Sequence, residues 1–181
     1  MENIKDKEYL QVAIEQHPYY KSLNEKILED VKMLYFYTPQ ENTHHTNIRG
    51  SQHNFESNGE PESLKTVLKW IRNLIRSHIT SNFNPHPQRV INPAYCWLAK
   101  YNKGDYTMKH RHMPSTLSFV YFVKSPKGAS PLVFTTSGKR ISPEEGKVVI
   151  FSGNTIHHVP KNKCDGRLTF AGNLTINSPG H

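Results

Sequence analysis

Apolar residues return every three or four positions in two stretches of the first half of the chain, and at closer, strand-like spacing through most of the second half. In SLNEKILEDVKMLYF (residues 22–36), Leu23, Ile27, Val31 and Leu34 fall at helical spacing and predict a helix. A longer helix is predicted in PESLKTVLKWIRNLIRSHI, where Leu64, Val67, Leu68, Ile71, Leu74, Ile75 and Ile79 form one apolar stripe that packs most simply against a sheet. Between them, residues 38–61 are polar and rich in Asn, Gly, Ser and His, which reads as an irregular excursion. Loops of that length are often functional, so this one, with His44, His45 and His53, is a candidate lid or substrate-binding surface. After NFNPHPQRVINP the period changes. AYCWLAKY, STLSFVYFVK, PLVFTT, KVVIF and RLTFAGNLTI are short, aromatic and β-branched, and turn signals separate them.

Strands gathered late in a chain predict a β-sandwich or barrel. The expected fold is therefore mainly β with flanking α-helices: a jelly-roll, cupin-like barrel of the double-stranded β-helix type, preceded by a helical N-terminal segment. At 181 residues and 20.9 kDa the chain is expected to be one domain, 1–181. Residues 1–90 form its helical part, with the polar loop at 38–61, and residues 91–181 its β-helix core.

Composition narrows the setting. No run of eighteen apolar residues occurs and MENIKDKEYLQ lacks the apolar centre of a signal peptide, so a soluble, cytoplasmic protein with no membrane partner is expected. Cys96 and Cys164 form no disulfide framework and lack the spacing of a structural zinc site. The formal net charge of +8 and pI near 9.5 are compatible with nucleic acid. The basic residues are dispersed, however, and no nucleic-acid-binding motif accompanies them. Attraction of a small anionic cosubstrate is the simpler use.

The chemistry concentrates in MKHRHMPSTL (residues 108–117). In an extended segment residues i and i+2 share a face, so His110 and His112 stand side by side and can chelate a metal. A third ligand is offered by SGNTIHHVP, which follows strand KVVIF. An adjacent pair has opposed side chains if extended, so one of His157 and His158 looks inward, and His157 is favoured. Ten residues on, Arg167 opens the strand RLTFAGNL. A cation at the base of a barrel, one strand from a metal, suits a dicarboxylate held by the metal at one end and by a bidentate salt bridge at the other.

YNKGDYTMKHRHMPSTLSFVYFV followed by GKVVIFSGNTIHHVPKNKCDGRLTFAGNL resembles the Fe(II)/2-oxoglutarate-dependent oxygenases over residues 92–175. It is most similar to a group common in marine bacteria and phages, whose motif has the form HxHP…LSGVYY…G…FP…H…R…FN. For a phage-encoded chain the compartment would be the host cytoplasm. The resemblance implies a dioxygenase, or hydroxylase, using Fe(II), 2-oxoglutarate and O2, with His110 and His157 as iron ligands and His112 in the third place. It further implies Arg167 on the distal carboxylate of 2-oxoglutarate, and Tyr101 as a hydrogen-bond partner of that same carboxylate. Ser118 and Asn173 fall on matching cosubstrate-side positions. Beyond the metal centre no catalytic side chain is implied. The wider superfamily has a carboxylate where this chain has His112; Phe119 replaces a glycine, Phe122 a tyrosine, and Ser152 or Gly153 a proline. Three neutral imidazoles would leave Fe(II) dipositive, and an anionic cosubstrate supplies the missing charge.

The same residues also resemble the cupins: Gly104, His110 and His112, then Gly146 with His157 eleven residues later. That family includes metal enzymes and ligand-binding barrels that do not use 2-oxoglutarate. Its glutamate after the histidine pair would fall on Thr116 or Leu117, and its absence, together with Arg167 and Asn173, favours the oxygenase. A catalytically silent barrel with an acidic partner is the remaining alternative. The prime substrate stays open between a peptidyl side chain, a nucleic-acid base and a small molecule.

Overall fold

The computed structural model describes residues 12–41, 46–56, 59–82 and 90–177. In chain order these form β1 (Val12–Gln16), α1 (Tyr20–Val31), β2 (Ile48–Arg49), β3 (Ser51–Phe55), α2 (Glu62–Asn82), β4 (Val90–Tyr101), β5 (Tyr106–His110), β6 (Leu117–Lys124), β7 (Leu132–Phe134), β8 (Arg140–Ile141), β9 (Lys147–Ser152), β10 (His157–Val159) and β11 (Arg167–Asn177). The strands make a large sheet in the order β1-β9-β6-β11-β4-β3 and a small one in the order β2-β5-β10-β7-β8, with antiparallel pairing throughout.

The large sheet is buried on both faces, which is why its strands read as nearly continuous apolar runs. Leu98, Phe119, Tyr121, Val148, Ile150, Leu168 and Phe170 point to the helices, where they meet Ile27, Leu64, Val67 and Ile71. Their strand neighbours Ala99, Tyr101, Phe122, Val149 and Phe151 point the other way and meet Leu132, Phe134 and Val159 of the small sheet. Period-two alternation thus builds two cores from one set of strands. The predicted helical stripe of α2 packs on the sheet as expected. α1 adds a polar member: Asn24 is buried beside Ile27 and Val31, accepting from Tyr121 Oη (2.7 Å) and donating to the Val123 carbonyl (2.7 Å).

The polar excursion expected over residues 38–61 is corrected. It contributes β2 to an edge of the small sheet and β3 to an edge of the large one, with Tyr37 bridging to Gln52. An edge strand buries only some of its side chains; Gln52 and Phe55 go in while Ser51, His53 and Asn54 remain partly exposed. A sequence so diluted in apolar residues carries no visible alternation. His44 and His45 lie outside the described residues. β1 and β8 were not predicted, and neither was β5, which ends on His110.

Candidate metal centre

β5 ends on His110 and β10 begins on His157, and these two residues are direct cross-strand partners. Their rings approach to 4.3 Å between centroids. His112 lies beyond the end of β5. There the backbone N–H of His112 donates to Gly153 O (2.7 Å), and a turn returns the Ser115 N–H to His112 O (2.8 Å) across a cis Met113–Pro114 bond. Gly153 is required by that approach, because a Cβ at this position would stand 2.1 Å from Ser115 O. The glycine that departs from the FP motif is thus the floor under the His112 turn. His112 comes to 4.7 Å from His110 and 5.2 Å from His157 between centroids, and one ligand atom from each ring lies within 4.8 Å of the others. His158 remains outside the cluster, with its Nδ1 3.1 Å from Thr135 Oγ1.

Second partners orient the rings. Nδ1 of His110 lies 2.8 Å from Met108 O, and Nδ1 of His157 lies 2.9 Å from Thr155 O. A carbonyl only accepts, so each Nδ1 carries the hydrogen and each Nε2 presents its lone pair. Burial lowers the pKa of His110, and burial with the neighbouring His110 pushes His112 down to about 4 and His157 to about 3. All the rings are therefore neutral at physiological pH, the state in which imidazole binds a metal.

On the inner face of β11, residues 167, 169, 171 and 173 point the same way. Arg167 is 1% exposed, and its Nε and Nη1 find no hydrogen-bond partner. The guanidinium lies 4.5 Å from the Tyr101 ring centroid, directly across the strand pair, and 5.5 Å from that of Phe122. Burial lowers its pKa while Tyr101 opposes that shift. Among the described residues no carboxylate pairs with it. Arg167 and the three histidines line one cavity of about 460 Å³, open mouth included. Ala99, Thr169 and Ala171 form its wall, and their small side chains leave the space open.

Of the remaining predicted residues, Tyr101 lines this cavity, whereas Ser118 and Asn173 do not. Tyr101 is buried beside Arg167, with its hydroxyl 2.8 Å from Thr107 Oγ1. Ser118 and Asn173 stand on the His112 side. Ser118 Oγ donates to Asn173 Oδ1 (2.9 Å), and Asn173 Nδ2 lies 3.5 Å from His112 Nδ1. Sequence reasoning missed Thr107 and Trp97. Trp97, ring to ring with His112 at 5.6 Å, shares the inner face of β4 with Tyr95, Ala99 and Tyr101, a signal present in the alternation.

No protein-family profile and no curated protein matches the sequence. Solved structures do match in shape. The viral collagen prolyl hydroxylase of Paramecium Bursaria Chlorella virus-1, in its 2-oxoglutarate complex, aligns with a TM-score of 0.67 at 16% identity, covering 94% of this chain and 98% of its own. A 2OG-Fe(II) oxygenase family oxidoreductase from Burkholderia pseudomallei aligns with a TM-score of 0.65 at 14% identity, over 91% of this chain and 84% of that one. The chain has the 2OG-Fe(II) oxygenase fold. A prolyl hydroxylase from Trichoplax adhaerens, in complex with a hypoxia inducible factor peptide fragment, shares this 2OG-Fe(II) oxygenase fold with a TM-score of 0.62 at 16% identity, covering 90% and 83% of the two chains. At these identities the likeness is one of fold.

The donor set fits a divalent transition metal: three imidazoles each bring one ligand atom within 4.8 Å of the others, and nitrogen donors of this kind suit such a metal. The two unpartnered nitrogens of Arg167 in the same cavity fit the far carboxylate of a short dicarboxylate.

Proposed function

We propose that this chain is an Fe(II)- and 2-oxoglutarate-dependent oxygenase that hydroxylates a peptidyl or small-molecule substrate. One observation carries the reading: Arg167, 1% exposed with two unpartnered nitrogen donors, shares its cavity with the His110, His112 and His157 cluster. An unpaired buried charge is costly to the fold, and a ligand carboxylate is what removes the cost.

In this reading His110, His112 and His157 hold the iron through neutral imidazole nitrogens. Arg167 receives the distal carboxylate of 2-oxoglutarate on its planar fork, which fixes the direction in which the cosubstrate lies. Tyr101 supports the guanidinium from beneath, and Thr107 holds the Tyr101 hydroxyl. Phe151, Val159 and Leu132 keep the interior dry, so these polar contacts act at low dielectric. When bound, iron and 2-oxoglutarate supply the oxidising chemistry: with O2, the cosubstrate is converted to succinate and CO2 and one oxygen atom enters a substrate C–H bond. No side chain need act as a base; the protein positions, orients and excludes water.

The substrate approaches through an adjoining pocket of about 550 Å³, lined by Thr46, Asn47, Ile48, Gln52, Tyr95 and Trp97 and reaching His110, His112 and Asn173. Among the described residues its lining has aromatic and amide groups and no carboxylate, which favours a neutral group flanked by hydrogen-bonding partners. A peptide meets that description, and the Trichoplax adhaerens neighbour binds one.

The test is succinate production from 2-oxoglutarate with Fe(II), ascorbate and O2, alongside the absorption band of an iron-bound 2-oxoacid under anaerobic conditions. Both are expected with the wild-type protein. If neither appears although the protein retains iron, 2-oxoglutarate is not the cosubstrate and the cupin-like alternative takes its place.

A further inference from the structure

The three imidazoles do not present themselves in the same way. Backbone carbonyls hold the Nδ1 hydrogens of His110 and His157, which leaves both Nε2 lone pairs free. His112 has no carbonyl at that position. Its Nδ1 faces the Asn173 amide nitrogen at 3.5 Å, while Asn173 Oδ1 accepts from Ser118 Oγ at 2.9 Å. With an NH2 group against it, Nδ1 must accept, and the neutral ring then carries its hydrogen on Nε2. A protonated Nε2 cannot ligate a metal.

A half-turn of the Asn173 amide reverses this polarity without moving the backbone. Oδ1 then accepts from His112 Nδ1–H, and the amide nitrogen donates to Ser118 Oγ. Ser118 tolerates both arrangements because a hydroxyl donates or accepts as required, and at 1% exposure no solvent competes for it. Asn173 is held opposite Ser118 in the β6–β11 register and opposite Tyr95 in β4, at an irregularity in the pairing that follows Asn173. Bulges of this kind re-aim side chains next to sites.

We propose that Asn173, pivoting against Ser118, is the positioning residue that selects the ligating nitrogen of His112 and so couples metal binding to an amide flip. A carboxylate ligand needs no such device, since each of its oxygens carries a lone pair, whereas an imidazole in that place must be given the correct tautomer. This inference rests on the reading of the histidine cluster as a metal site.

Zn(II) serves as a redox-silent, diamagnetic probe. Imidazole nitrogen NMR of histidine-labelled protein should show His110 and His157 with hydrogen on Nδ1 throughout, and His112 moving its hydrogen from Nε2 to Nδ1 when Zn(II) is added. Asn173→Leu, which cannot accept, should weaken Zn(II) binding by about 10–100-fold, the usual effect of losing such a partner. Asn173→Asp, which can only accept, should bind at least as tightly as wild type, and Ser118→Ala should fall in between. The inference is overturned if the His112 tautomer is the same with and without Zn(II), if Asn173→Leu binds like wild type, or if Asn173→Asp binds as poorly as Asn173→Leu. If Asn173→Leu does not fold, the wild-type tautomers and Asn173→Asp decide. A wild-type protein that binds no Zn(II) would instead remove the metal-site reading itself.

Discussion

A guanidinium buried to 1% exposure, with two unpartnered nitrogens and no carboxylate beside it among the described residues, gains from an anion in its cavity. Charge-assisted hydrogen bonds of this kind contribute roughly 1.5–3 kcal/mol. Arg167→Ala should therefore weaken 2-oxoglutarate by about 10–100-fold, at 1.4 kcal/mol per factor of ten. Arg167→Lys should recover part of the loss, since it keeps the charge and loses the fork. Titration of 2-oxoglutarate into iron-loaded protein measures both, and equal affinity across the three proteins would dismiss Arg167 as the anchor. Gly153 makes a second prediction. The methyl of Gly153→Ala would collide with Ser115 O, so the turn carrying His112 must shift. A stability loss of about 1–3 kcal/mol is expected, with weaker metal binding; unchanged metal affinity would show that His112 contributes little to the site.

α1 and α2 act as a buried brace on the outer face of the large sheet, whose inner face carries Arg167, Thr169, Ala171, Trp97 and Tyr101. The brace is tied by a polar contact as well as by apolar area. Asn24 on α1 satisfies both the Tyr121 hydroxyl and the Val123 carbonyl in a fully buried setting. Asn24→Ala removes the side-chain partner of both, and an unsatisfied buried group costs about 1–3 kcal/mol. Chemical denaturation should report a loss of roughly 2–4 kcal/mol on this basis, and Asn24→Ala with Tyr121→Phe should be less than additive because the pair shares a bond. Strict additivity would mean that the bond contributes nothing. β2 and β3 serve differently: they close one edge of each sheet and bring Ile48 and Gln52 to the pocket that adjoins His110 and His112.

For the molecule as a whole, the histidine cluster sets an acid limit when no metal is bound. The folded-state pKa values of His112 and His157, about 4 and about 3, lie below the unfolded value near 6.5. Above that pH both states are neutral and the cluster contributes no pH dependence. As the pH falls below it, the unfolded chain takes up protons that the folded cluster refuses, so stability declines until the folded pKa values are reached. The melting temperature of chelator-treated protein should fall between pH 6.5 and 4 more steeply than that of His157→Leu. Added metal should raise it near neutrality, because a ligand bound only by the folded state stabilises it. Parallel curves for wild type and His157→Leu would show that the cluster is not held neutral. Among the described residues no helix is long and apolar enough to cross a membrane.

Much of this architecture is written in local periodicity. The helical stripes of α1 and α2 and the short apolar, β-branched runs of β4, β6, β9 and β11 are visible because each of those elements buries enough apolar surface to mark its sequence. The histidines were legible as residue types at a spacing, and strand alternation showed that only one of His157 and His158 can face inward; which one does was decided by the fold. Other features needed the folded chain. β2 and β3 are edge strands whose polar side chains erase the pattern that would announce them. His112 reaches the cluster from a turn floored by Gly153, a contact between residues forty-one positions apart that no local repeat encodes. The buried charge of Arg167 is a property of its surroundings: in sequence it is one of 23 basic residues, and only the packing of β11 between β4 and β6 takes it out of solvent with two nitrogens left unpartnered. Burial is set by the sum of long-range contacts, and it is burial that turns an ordinary arginine into a demand for an anion.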